Sequence, residues 1–469
     1  MRRFCLGILL SLTWGLAAAQ SATADPGVKG AERVFDAWME EQVAYRGLPG
    51  VAVGVVSDQQ LVWAKGYGYA DTAAHTPMTA TTKFRMASHS KLFTATAIMQ
   101  LRDQGKVRLD DPVEKYLPWF KVKPAEPDDP PITIEELLTH SSGLSREAGA
   151  HWVDYKFPDA AELKAYLASS PAIYSPQVRW KYSNVALSIA GAVVETVSGE
   201  KYADYVQHHI FDPLGMKDSS VDRDLPGLAV GYGRRMPDGS RTKMPFVDAK
   251  AMGPATGITS TVEDMAKFVS LQFRKGSPVL STAGLREMHR VRMLENDWTR
   301  GNAIGFAVER TKDRVYVGHG GSYPGYKTQT LMQLDDKVGV IVLTNGDDSN
   351  PSDMAQHLMQ IVGAAVAKAA PKKSAAAWDP AWGRFAGLYR SANGDTAVVE
   401  LNNELVTFNP VGSSPEQQSE LVPIGNGQFR LEAPSGGSAV GEVVRFVPLP
   451  DGTMRMYLGG TYSDRVNPR

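Results

Sequence analysis

The sequence predicts an α+β protein in two parts: a discontinuous sheet around a helical insertion over residues 25–366, then a separate antiparallel β domain over 378–469. Three observations lead there. Helix-like and strand-like stretches stand at both ends of the first part, while its middle, 107–250, is rich in Pro and Gly and helical where it is periodic. Residues 367–377 (AKAAPKKSAAA) are low in complexity and read as a linker. Beyond them, short alternating stretches recur between turn residues, the pattern of a small closed or nearly closed barrel. A chain of 469 residues, 43% hydrophobic and 22% charged, has material for a substantial core, which excludes collagen, coiled coil and wholesale disorder.

The chain opens with a segment outside the fold. Arg2 and Arg3 precede an apolar run, Phe4 to Ala19, and small residues follow at Ala17-Ala18-Ala19 and Ala22-Thr23-Ala24. That is the order of a secretory leader, removed near Ala24, so residues 1–24 read as a signal peptide and the mature protein as periplasmic or secreted. The run is short against the ~20 residues of a membrane span, and no other segment is long and uncharged enough to be one. Removal also takes Cys5, the only cysteine, which leaves neither disulfide nor thiol. Lys and Arg number 50 against 51 Asp and Glu, with no long basic run, which argues against a nucleic-acid partner.

Val34, Phe35, Trp38, Met39 and Val43 give a helix over 31–45, stopped by Gly47, Pro49 and Gly50. Val51–Val56 and Leu61–Tyr67 flank the turn-like Ser57-Asp58 as a hairpin. Leu92–Leu101 is apolar nearly all round and so belongs to a helix buried on every side. Ala186–Val197 and Tyr202–Ile210 are further helical stretches. Val315–Gly318, Tyr326–Leu334 and Val338–Thr344 read as consecutive strands, and Asp353–Ala367 as a closing helix. In the last part the strands are Ala397–Leu401, Glu404–Phe408, Glu420–Ile424, Gln428–Leu431, Glu442–Val447 and Met454–Leu458.

Three stretches could carry chemistry. Ser88-His89-Ser90-Lys91 stands at the mouth of the buried helix, with serine and lysine on one helical face. A buried lysine shifts its pKa readily, and charge developing on a serine oxygen is favoured near a helix N-terminus. The same spacing recurs at Ser198–Lys201 and Ser240–Lys243, so by itself it selects nothing. Tyr182-Ser183-Asn184 is the only Y-x-N in the chain and precedes a helix; it offers a proton donor and an amide, or simply a helix cap. His319-Gly320-Gly321-Ser322 ends a predicted strand, where glycines suggest close approach of another backbone or a ligand and the histidine offers a proton or a positive charge.

In that order, SHSK, YSN and HGG resemble the three signatures of the serine β-lactamase and penicillin-binding-protein superfamily, in its class C-like branch of DD-peptidases, D-aminopeptidases and some esterases. The flanking stretches FRMASHSKLFTATAIMQL, ITIEELLTHSSGL, IFDPLGM, GITSTVEDMAKF and GHGGSYPGYK agree, over about residues 30–365. The resemblance implies a β-lactamase/transpeptidase-like fold, an antiparallel sheet flanked by helices plus a helical region, with a lipocalin-like barrel appended. It makes Ser88 the acylated nucleophile, Lys91 its activator and Tyr182 the acid/base, the role of acylation base being divided between Lys91 and Tyr182. It further implies that Asn184 positions a substrate amide, that His319 replaces a lysine, and that the N–H groups of Ser88 and Ser322, beside Gly321, form the oxyanion hole. HGG in place of KTG points toward peptidase and aminopeptidase relatives ahead of β-lactamases. Gln177 stands where many relatives have glycine.

No G-x-S-x-G, P-loop or H-E-x-x-H motif is present, and the adjacent His208 and His209 are expected to point apart, so neither metal nor cofactor is implied. The expected partner is a small-molecule or peptide substrate. A non-catalytic cell-wall or peptide-binding protein on the same scaffold is the competing class, and a small-acyl esterase or β-lactamase the competing activity. Intact Ser88, Lys91 and Tyr182 favour an enzyme.

Overall fold

The computed structural model describes residues 24–295, 297–311, 314–370, 378–412, 417–433 and 437–466. The leader up to residue 23, including Cys5, and linker residues 371–377 lie outside them. The chain divides between Ala370 and Pro371 into two compact units.

In the first unit, α1 (Pro26–Arg46) starts on Asp25, whose carboxylate accepts from the N–H groups of Gly27 and Val28, and stops at Gly47 with φ 59°. It leads into the hairpin β1 (Gly50–Ser57) and β2 (Gln60–Asp71). Much later the chain returns as β3 (Arg314–Tyr323), β4 (Tyr326–Gln333) and β5 (Val338–Thr344). β5 pairs antiparallel with β1, so the two ends of the unit meet at the centre of one nine-stranded antiparallel sheet. Short edge strands at 293–294, 300–302 and 307–311, which hydropathy did not signal, extend it beyond β3.

Both faces of the sheet are covered, which explains the near-continuous apolar run of β1. Val51, Val53 and Val55 pack with Phe35 and Met39 of α1 and with Leu358 and Val362 of the closing helical segment, which continues to Ala369. Ala52 and Val56 join the larger core on the opposite face. That core holds α2 (Ser90–Asp103), buried from Ser90 through Leu101, and α3 (Asn184–Ser198).

The second unit is a closed eight-stranded antiparallel barrel. Its six anticipated strands are joined by Gly387–Ser391 and Thr461–Val466, which pair with each other and close the cylinder. Neither shows clean alternation, and their register comes from neighbours on both sides. Phe385, Phe429 and Phe446 fill the interior, with the Phe385 and Phe446 rings stacked at 4.4 Å.

Candidate active site

Ser88 lies in a 3-10 turn, Ala87–His89, that runs into α2. Ala87 holds φ 50°, a conformation L-residues adopt only where the surroundings over-determine it. Lys91, one turn on, is fully buried; its Nζ lies 3.0 Å from Ser88 Oγ and donates to the Ala255 carbonyl at 2.9 Å. Burial pushes this amine well below its ordinary range; the field of Glu147 opposes the shift and that of Arg146 adds to it. From the segment before α3, Tyr182 donates its phenolic proton to the same Ser88 Oγ at 2.7 Å. Burial drives the Tyr182 phenol up to about 12, opposed by its bond to Ser88 and by Arg146. The serine oxygen therefore sits between a buried amine and a phenol that stays protonated at neutral pH.

Tyr182 is held from behind by His140, whose ring lies 4.3 Å from the tyrosine ring. The His140 carbonyl takes the Lys181 N–H at 2.7 Å and its Nδ1 takes that of Ser183 at 3.2 Å, so one residue grips both neighbours of the tyrosine. Ser183 also caps α3, its hydroxyl accepting from Ala186 N at 2.9 Å. The capping role is thus real, and it turns Tyr182 and Asn184 toward the cavity. Asn184 donates to Glu147 Oε1 at 2.6 Å, which leaves its buried Oδ1 without a hydrogen-bond partner. Burial alone would raise the Glu147 carboxyl; hydrogen bonds from His151, Trp152 and Asn184 outweigh it and hold the group below the usual range. Glu147 and Arg146 come from an irregular loop with no periodicity or motif of their own, so nothing in the sequence marked them.

The HGG stretch lies inside β3 and not at its end, because the strand runs on to Tyr323. Gly321 is required sterically: a Cβ there would come 2.5 Å from the Met86 carbonyl and 2.3 Å from Thr328 Oγ1. The close approach expected from the glycines is therefore to the turn that carries Ser88. A cavity of about 560 Å³ opens over Ser88, Tyr182 and Asn184, with Gly321 and Ser322 on its strand side. Its charged lining is Arg146, Lys327 and Asp347. His319 is placed differently: it lines an adjoining cavity of about 340 Å³ together with Tyr182 and Gly320. Burial first, and then the field of Lys91, push its ring down to about 4, so it is neutral at pH 7 and brings no positive charge.

The other matches fall away. Ser198 ends α3 with its hydroxyl on the Val194 carbonyl, and Ser240 lies in an exposed turn. His208 and His209 do not diverge as expected: the wide turn Gln207–Phe211 brings both onto Glu200, at 3.3 and 2.8 Å. Among the described residues no group of three or more His, Cys, Asp or Glu could hold a metal, and no helix is long and apolar enough to cross a membrane. Gln177 adopts φ 63°, which glycine reaches without strain, and its side chain is anchored on Glu136 Oε1 at 2.7 Å.

A serine so placed, on a helix packed against an antiparallel sheet, defines a serine hydrolase. The family model described as Beta-lactamase matches residues 35–364, and the chain belongs to that family, within the serine β-lactamase and penicillin-binding-protein superfamily. Penicillin-binding protein 4* of Bacillus subtilis (strain 168) is 25% identical over 399 residues, 80% of this chain and 86% of that one. Esterase EstB of Burkholderia gladioli is 33% identical over 222 residues, 45% of this chain and 56% of that one. Among solved structures, the octameric penicillin-binding protein homologue from Pyrococcus abyssi superposes with a TM-score of 0.64 at 23% identity, over 92% of this chain and 99% of that one.

Proposed function

We propose that the protein is an exported acyl-enzyme hydrolase of amide bonds, of the DD-peptidase or D-aminopeptidase type. One observation carries the reading: Tyr182 and Lys91 reach the same Ser88 oxygen at 2.7 and 3.0 Å, although 94 residues of chain separate Tyr182 from Ser88. In its neutral form, which the lowered pKa favours, and with one N–H on the Ala255 carbonyl, Lys91 turns its lone pair to the Ser88 hydroxyl and takes the proton as Oγ bonds to the substrate carbonyl carbon. The lowered amine and raised phenol favour Lys91 over Tyr182 as the acylation base. Charge on the tetrahedral oxygen falls to the N–H groups of Ser88 and Ser322, where loss of one donor costs ~3 kcal/mol. Tyr182 gives its proton to the leaving nitrogen as the C–N bond breaks, and the Lys91 ammonium returns a proton to the phenolate. In deacylation a water adds to the ester carbon and loses its proton to this pair, and Ser88 Oγ leaves with one.

The preference for peptides over β-lactams rests on the HGG motif, which resembles the peptidase and aminopeptidase members more than the KTG of β-lactamases. Similarity to an esterase favours ester cleavage as the second reading. Export rests on the leader sequence, and N-terminal sequencing of secreted protein, expected to start after Ala24, tests it. The activity is tested by labelling the mature protein with a fluorescent penicillin or a fluorophosphonate and locating the adduct by mass spectrometry. Labelling at Ser88 supports the assignment, and labelling at any other serine removes it. A kcat/KM panel of D-alanyl peptides, p-nitrophenyl esters and β-lactams then ranks the three activities.

A further inference from the structure

Between the nucleophile and the lysine stands His89, fully buried and without a place in the chemistry above. Its two ring nitrogens are both engaged, Nδ1 with Thr328 Oγ1 at 3.0 Å and Nε2 with Thr330 Oγ1 at 3.1 Å. A neutral imidazole has one donor and one acceptor, and a threonine hydroxyl serves as either, so both contacts can be satisfied at once. Burial, with His319 and Lys91 adding to it, pushes the ring down to about 3, which keeps it neutral.

Thr328 and Thr330 sit two residues apart on one face of β4. Across the ladder to β3 they stand opposite Gly321 and His319. One ring therefore spans the two rungs that bracket Gly320. Thr328 is also shared with the nucleophile turn, its hydroxyl donating to the Met86 carbonyl at 3.3 Å. The turn and β3 meet in backbone contact at Gly321, so a small slip of one against the other moves the Ser88 N–H relative to the Ser322 N–H.

We infer that His89 is a positioning residue: by clasping Thr328 and Thr330 together it sets the height of the Ser88 turn against β3, and with it the convergence of the two N–H groups on the substrate oxyanion. The inference rests on the site reading above. Its loss acts on the transition state and not on ground-state binding, because no atom of His89 lines either cavity.

The experiment compares His89→Leu, His89→Gln and Thr330→Val with the parent in p-nitrophenyl acetate hydrolysis and in inhibition by phenylboronic acid, which forms a tetrahedral adduct on a reactive serine. His89→Leu is expected to lower kcat/KM and boronate affinity together, by tenfold or more on the scale of a ~1 Å misplacement, with KM within about twofold. His89→Gln, whose amide again offers one donor edge and one acceptor, recovers most of the loss, which a merely space-filling role does not predict. If His89→Leu fails to fold by circular dichroism, Thr330→Val carries the test: it removes the clasp contact to Nε2, together with the longer Thr330 bond to the His319 carbonyl at 3.4 Å, and keeps the ring, and the same joint loss is expected on a smaller scale. Folded variants with kcat/KM and boronate affinity within twofold of the parent, or a loss confined to KM, overturn the inference. Ser88→Ala run alongside separates the two readings: activity retained there overturns the site assignment and the clasp with it, whereas activity lost there with unaffected His89 and Thr330 variants overturns the clasp alone.

Discussion

The cores of the two units differ in what they bury. The first hides Arg85, His89, Lys91 and Asp264 at 1% exposure or less, and Arg85 keeps two guanidinium nitrogens without partners. In the barrel, among the described residues, Thr407 is the one buried polar side chain in an interior of Phe, Leu, Val, Tyr and Met. Desolvating an amine costs stability and lowers its pKa, and an aliphatic or aromatic interior does neither. The first unit therefore gives up stability where it holds reactive groups, and the barrel core is free to serve stability alone.

The largest test of that contrast is Ser88→Ala, expected to reduce kcat/KM by at least ~10³-fold while the first unit's unfolding midpoint stays put, since the serine is nucleophile and not core. Lys91→Met goes further: activity is lost on a similar scale and the first unit becomes more stable at neutral pH, because a desolvated amine gives way to an apolar chain of similar length. The sign with pH follows from the lowered amine. Between its folded pKa and 10.5 the unfolded chain binds the proton that the native state does not, so the parent gains stability as pH rises. The advantage of Lys91→Met therefore shrinks toward pH 10.5, measurable by urea titrations at pH 7, 8.5 and 10; a constant difference would show the amine is not desolvated. The parent's kcat/KM rises with pH as the amine loses its proton, and a pH–rate profile checks it.

Phe446→Ala strikes the other core, where loss of a ring packed on Phe385 and Phe429 is expected to cost ~3–5 kcal/mol, read from the barrel's unfolding transition. The smallest effect is at Gln177→Gly. Relief of the left-handed conformation, ~1 kcal/mol, offsets part of the ~1.5–3 kcal/mol lost with the bond to the buried Glu136 carboxyl, leaving a net loss of ~1 kcal/mol. A loss beyond ~2 kcal/mol would give Gln177 a larger part in holding the Glu136 segment than one hydrogen bond explains.

Much of the fold was legible wherever a segment buries one face or all faces. α1, the β1–β2 hairpin, α2 and α3 follow from periodicity and from Gly47 and Ser183 as punctuation, although α1 starts at Pro26, on the Asp25 cap, five residues before the expected 31. The strands 300–302, 307–311 and 461–466 escaped because they lie at an edge or a seam, where neighbouring strands set the register and hydropathy does not. In the site, Ser88 and Lys91 are one helical turn apart, so their contact is a local consequence of the chain. Arg146 and Glu147 reach the same centre from an irregular loop that carries no signal, the Ala255 carbonyl comes from a short helical turn, Gly253–Thr256, and His140, although it stands in the matching stretch ITIEELLTHSSGL, had no role legible before folding.

The sequence by itself determined which residues could react and in what order they stand, because residue chemistry and helical spacing are properties of the local chain. Only the tertiary structure decided that Lys91 is dry, that His319 is neutral and stands aside from the Ser88 cavity, and that His89 grips two threonines of another strand. Those outcomes depend on which segments exclude water from which groups, and desolvation is set by packing between residues distant along the chain.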